Sequence, residues 1–185
     1  MKTVACAVLS LIVVVPALGY PLPPGSEERA ERYTVWRVEV AKGEQALAEG
    51  RRPEAESAFV SVIEGSRAID DTSMLLARAL DGLGDLRRAE ERWSDAERMY
   101  LEAAGLWEKY LGPEQPRLAI TLHNLGVVHI GQGRYEEACA TLGRALAILE
   151  RALGPDTAQA AATRTALEAA ARLQEGSSGS TTGSS

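Results

Sequence analysis

Apolar and small residues recur at intervals of three and four along nearly all of the chain between residues 30 and 174. Ala138, Leu142, Ala145, Leu149 and Leu153 fall at spacings of 4, 3, 4 and 4, which lines one face of an α-helix. The same stripe stands one unit earlier as Ala96, Tyr100, Ala103, Trp107 and Leu111. Alternation with period two is nowhere sustained, so no strands are expected. Gly112-Pro113 and Gly154-Pro155 read as helix stops: glycine takes a left-handed cap and proline cannot continue the helix. Gly131 to Gly133 reads as a tight turn between helices. Ser94 and Glu97 have the spacing of a capping box.

The pattern also repeats. Shifting residues 75–116 by 42 positions onto 117–158 gives twelve identities, among them Leu83/Leu125, Gly84/Gly126, Arg92/Arg134, Ala96/Ala138 and Leu111-Gly-Pro/Leu153-Gly-Pro. Composition alone would give roughly three or four, so the units are related. A weaker copy lies upstream at a shift of 41, with Gly43 on Gly84, Ala55 on Ala96 and Phe59 on Tyr100. A half copy lies downstream, where Ala161, Thr163 and Leu167 fall 42 after Ala119, Thr121 and Leu125.

Each unit thus holds two helices, and residue size dictates how they pack. Gly84 and Gly126 have no side chain and Ala96 and Ala138 have a minimal one, so the two backbones of a pair can approach closely at these positions. Leu83/Leu125 and Trp93/Tyr135 then fill the wedge to the next pair. One pair cannot bury its faces alone, and stacked pairs form a right-handed helical solenoid. The fold class expected is therefore all-α, with about three helix pairs over 30–71, 72–113 and 114–155. An unmatched helix over 156–174 caps the open end.

The flanks differ in composition. Lys2, the apolar run Val4 to Val15 and the small residues of Ala17-Leu18-Gly19 form a signal-peptide pattern over residues 1–19, too short to span a bilayer, with cleavage expected after Gly19. That predicts a secreted or periplasmic protein, with retention of the segment as an uncleaved N-terminal anchor as the alternative. Residues 20–29 read as a proline-rich tether, and residues 175–185, Gly/Ser/Thr-rich, as a flexible tail. The formal net charge is −6 at pH 7, and removing Lys2 with the signal leaves −7, which speaks against nucleic-acid binding. After cleavage Cys139 is the one remaining cysteine, so no internal disulfide and no two-cysteine metal or redox motif is available.

The third unit reads Leu122-His-Asn-Leu125-Gly126-x-x-His129, then Gly133-Arg-Tyr135-Glu-Glu-Ala138, then Ala145 and Leu153-Gly-Pro-Asp156. This resembles a tetratricopeptide repeat, specifically the 42-residue variant found in kinesin light chains and many bacterial proteins. The resemblance covers about residues 30–173. The second unit departs from it with Arg87 where an aromatic is usual and Glu91 where the turn glycine belongs; the first departs at Gln45 and Arg52. Such proteins are non-catalytic scaffolds whose concave face, lined by the first helix of each pair, holds an extended peptide or partner protein. On matching positions the resemblance implies a binding face of Arg78, Asp81, Asp85 and Arg88, then His123, Asn124 and Val127. Arg37, Val40, Glu44 and Thr165 would extend it. Arginines suit carboxylates, and Asn124, the chain's only asparagine, can pair with both groups of a peptide backbone.

Catalytic chemistry finds no support in the pattern. His123 and His129 are six apart, so on a helix they point in opposite directions and cannot share a metal. No phosphate-binding glycine loop, nucleophile elbow or metal motif occurs, and no cofactor is expected. Trp36, Trp93 and Trp107 sit on apolar stripes and read as core. Self-association through exposed solenoid faces or Cys139 is the alternative to partner binding.

Overall fold

The computed structural model describes residues 26–67 and 73–179, so the expected signal segment lies outside the described residues. Seven helices follow in order: α1 (Ser26–Ala48), α2 (Arg52–Ser66), α3 (Ser73–Ala89), α4 (Trp93–Leu111), α5 (Pro116–Gly131), α6 (Tyr135–Leu153) and α7 (Ala158–Gly179). No strand occurs among the described residues. The chain divides into two units, residues 1–38 and 39–185. In the first, the described residues are helical, and Tyr33, Val35 and Val38 are exposed.

In the second unit, successive helices from α2 onward pack against one another, and the packing repeats. Phe59 of α2 occupies the space that a side chain at Gly43 would need, since a Cβ there would lie 2.6 Å from the ring. Tyr100 sits the same way on Gly84 (2.7 Å) and Leu142 on Gly126 (2.5 Å). These are equivalent positions in the three units, and each large side chain is fully buried because its partner helix has no Cβ in the way. Phe59 reaches further and also lies against Gly82 of the next pair, where a Cβ would stand 2.3 Å from its ring. Trp93 closes the following junction against Gly131, with the added Cβ at 2.9 Å. Trp107 is buried as expected, whereas Trp36 and Trp93 are only half-buried.

Charge adds a second link between pairs. Glu56 of α2 pairs with Arg87 of α3, and one unit later Glu97 of α4 accepts from Arg134 (2.6 Å) and Gln132 (2.8 Å) and lies 3.4 Å from His129 of α5. Arg87 therefore takes the place of an aromatic because its equivalent, His129, also faces a glutamate. The capping box at Ser94 and Glu97 does not form. α4 begins at Trp93 behind Arg92, which places Ser94 inside the first turn, and Glu97 is drawn to Gln132 and Arg134 instead.

The turns follow the glycines. Gly50 and Gly133 both have φ of +74°, and Glu91 at the equivalent position adopts +57° despite its side chain. The Gly-Pro stops differ in kind from the expectation. Gly112 (φ 91°, ψ 168°) and Gly154 (φ 93°, ψ 159°) are extended mirror-image residues, a region open essentially to glycine alone, and not left-handed helical caps. α7 is capped by Thr157, whose Oγ1 accepts from the Ala160 N–H at 3.3 Å. It runs to Gly179, into the segment expected as tail, and α1 already begins at Ser26, inside the expected tether. Ala160, Thr163 and Ala170 of α7 are buried, and Ala170 joins Ala138 and Leu142 in one cluster with half-buried Cys139 against it.

Candidate protein-binding groove

The first helices of successive pairs bring their polar faces together. A cavity of about 290 Å³ is lined by Glu44, Leu47 and Ala48 of α1, Arg78, Asp81, Gly82 and Asp85 of α3, and Arg117, Ile120 and Asn124 of α5. Four of the seven binding-face residues expected from the sequence, Arg78, Asp81, Asp85 and Asn124, therefore share one site. Gly82 opens its floor: the ring of Phe59 lies directly beneath, and no side chain fits above it.

The polar groups are organised before any partner arrives. Arg78 forms a forked pair with Glu44, Nη2 to Oε2 at 2.6 Å and Nε to Oε1 at 3.1 Å. Asp85 collects three donors on one oxygen: Tyr100 Oη–H at 2.6 Å, Asn124 Nδ2 at 3.2 Å and Arg88 Nη2 at 3.5 Å. Burial beside this acidic side chain pushes the Tyr100 phenol up from its ordinary value. Asn124 is thus oriented with its amide nitrogen on Asp85, which leaves its oxygen as an acceptor. Arg117 has no ion-pair partner within 4 Å among the described residues.

Asp81 lies deepest. Its Oδ2 accepts from Trp107 Nε1 at 2.8 Å, and Thr121 Oγ1 stands 2.8 Å from its Oδ1. Burial pushes its carboxyl up to about 7; the bonds from Trp107 and Thr121 and the charge of Arg117 oppose the rise, and Asp85 adds to it. The Thr121 hydroxyl also faces the Arg117 carbonyl at 3.2 Å, so its single proton has two acceptors. A proton on Asp81 Oδ1 resolves that competition by donating to Thr121, which then donates to the carbonyl.

The remaining expected residues fall elsewhere. Arg88 touches the site through Asp85 without lining it, Val127 is half-buried outside it, and His123 borders a separate cavity. Val40 is 0% exposed and belongs to the core, not to a binding face. Glu44 joins the site, Arg37 is exposed in the first unit, and Thr165 spends its hydroxyl on the Ala161 carbonyl. Sequence reasoning missed Arg117 and Ile120. Their signal was available: 117, 120 and 124 share one face of α5 with Asn124. Among the described residues no helix is long and apolar enough to cross a membrane, and no group of three potential ligands is placed to hold a metal ion.

A family model described as tetratricopeptide repeat matches residues 75–138 and 117–178, together more than half of the chain. The chain belongs to the tetratricopeptide repeat family. Two solved structures show how far the likeness of this tetratricopeptide repeat protein extends. A putative kinesin light chain of Podosopora anserina with nearly identical repeats aligns with a TM-score of 0.67 at 17% identity, covering 77% of this chain and 68% of that one. BtubC (BKLC) from P. vanneervenii aligns with a TM-score of 0.62 at 18% identity over 75% of this chain. This chain spans 55% of the length of BtubC. At these identities the likeness concerns the fold alone. A search of the curated proteins finds no match. Tetratricopeptide repeats are in general protein-binding scaffolds.

Proposed function

We propose that this protein is a non-catalytic scaffold acting outside the cytoplasm, and that it holds an extended segment of a partner protein along α1, α3 and α5. The observation that carries the reading is the single cavity in which Glu44, Arg78, Asp81, Asp85, Arg117 and Asn124 converge from three successive first helices. Their mutual hydrogen bonds fix the side chains in advance, so a partner loses less entropy on binding than it would against mobile groups. Arg117 offers a positive charge with no ion-pair partner among the described residues, Asn124 an amide oxygen with no hydrogen-bond partner among them, and Ile120 an exposed apolar surface beside them. The signal-peptide pattern of residues 1–19 supports the location.

The reading is tested by capturing partners from the extracytoplasmic fraction with the wild-type chain and with Asn124→Ala and Arg117→Glu. A defined partner whose recovery drops at least several-fold with each variant supports the groove. Recovery unaffected by both substitutions overturns it.

A further inference from the structure

The position of Asp81 recurs 42 residues later as His123, and its surroundings recur with it. Thr163 takes the place of Thr121: its Oγ1 lies 3.0 Å from His123 Nδ1, as Thr121 Oγ1 lies 2.8 Å from Asp81 Oδ1. Four neighbours change between the units, and each becomes smaller. Arg78 is replaced by Ile120, Trp107 by Leu149, Arg117 by Gln159 and Ile120 by Ala162. The result is a slot of about 160 Å³ bordered by Ile120, His123, Leu149, Gln159, Ala162 and Thr163. Where the second unit supplies an indole of its own, the third leaves room for a ring from elsewhere.

The hydrogen-bond count fixes what that ring should carry. Thr163 has one hydroxyl proton, and the Gln159 carbonyl at 2.8 Å takes it. His123 Nδ1 must then donate to Thr163 Oγ1, so the neutral ring keeps its lone pair on Nε2, which has no hydrogen-bond partner among the described residues. Burial, helped by the charge of Arg88, holds the imidazole below the ordinary histidine value and so keeps it neutral near pH 7. Ile120, Leu149 and Ala162 give the slot its apolar surface, and His123, which carries this acceptor, borders it together with Gln159 and Thr163.

We propose that this slot receives a tyrosine side chain of the partner, its ring against Leu149, Ile120 and Ala162 and its hydroxyl donating to His123 Nε2. The protein contains its own precedent, since Trp107 places an aromatic ring in the equivalent space and donates to Asp81 at 2.8 Å. The volume matches a single six-membered ring, which cavities of about 150 Å³ hold. A ring without a donor leaves Nε2 unpaired against apolar surface, which costs affinity. Ile120 borders both the slot and the groove, so a segment lying in the groove can place one side chain here. The proposal deepens the groove reading and rests on it, but its test does not.

The test titrates p-cresol, the tyrosine side chain in isolation, into the full chain and follows the methyl resonances of Leu149 and Ala162. 4-Fluorotoluene serves as the ring without a donor. Saturable binding is expected, with p-cresol about fivefold tighter, the worth of one ordinary hydrogen bond. His123→Phe should remove that preference, and Leu149→Trp should refill the slot and abolish binding. Ala162→Leu, at an exposed position of α7, blocks the same space should Leu149→Trp fail to fold. No saturable change at Leu149, equal affinity for the two rings, or binding that survives Ala162→Leu would overturn the proposal. Binding of p-cresol with no partner recovered by the groove would leave the slot standing and remove only the groove reading.

Discussion

Trp107 of α4 donates its indole N–H to the Asp81 carboxylate of α3 at 2.8 Å, although the two residues lie 26 positions apart. A core tryptophan and a groove acid are thereby one unit: the side chain that fills the second helix pair also anchors the floor of the candidate site.

Burial of the Asp81 carboxyl, which this bond only partly offsets, makes stability depend on pH. The Asp81 carboxyl is raised from 3.8 to about 7 in the folded chain, so the folded state holds a proton that the unfolded state has lost between those values. Its contribution is fully present below about pH 4 and is lost as pH rises through about 7. Asp81→Asn keeps an acceptor for Trp107 and a donor for Thr121 without the charge. Thermal unfolding of the two proteins at pH 5 and pH 8 should show the variant gaining on the wild type at the higher pH. Parallel pH profiles would contradict the account of Asp81.

Glu91 is strained. It holds φ of +57° where Gly50 and Gly133 hold +74° in the neighbouring units. A left-handed conformation costs a side-chain-bearing residue about 1–2 kcal/mol, partly offset by the greater freedom of an unfolded glycine. Glu91→Gly should therefore stabilise by about 1 kcal/mol, or raise Tm by about 2–4 °C for a domain of this size. Gly133→Ala should do the reverse. A Glu91→Gly variant that melts at or below the wild-type temperature would show that the side chain is held by something other than the turn.

Gly126 and Leu142 test the nesting itself. A Cβ on Gly126 would stand 2.5 Å from Leu142 Cγ, inside van der Waals contact, and both residues are buried. Gly126→Ala should cost about 1–3 kcal/mol by overpacking. Adding Leu142→Ala should cost less than the sum of the two single changes, because each relieves the other. Chemical unfolding of the four proteins measures the coupling; additive losses would mean that the two helices do not meet there.

These tests fall on features of unequal legibility. The contacts of Gly84 with Tyr100 and of Gly126 with Leu142 could be read from the chain because both members recur at one period, and a glycine kept opposite a large residue in successive units makes room for it. The Asp81 network could not. It joins residues 26 and 40 positions away, and the Trp107 position is leucine in the next unit, so periodicity hides the bond. The capping box failed for a local reason: Arg134, 37 positions beyond Glu97, outcompetes a cap that the helix's own start at Trp93 had already displaced. Val40 holds the position of Asp81 in the repeat, but its apolar side chain is buried in the core, an outcome that the position alone does not reveal.

The groove is tested most directly by covalent capture. A photo-crosslinking amino acid is placed at Ile120, which borders the cavity, and separately at Leu101, an exposed position outside it. The groove account predicts a discrete adduct from position 120 that Asn124→Ala diminishes, and none from position 101. An adduct formed from position 101 and absent from position 120 would place the partner on another face and contradict it.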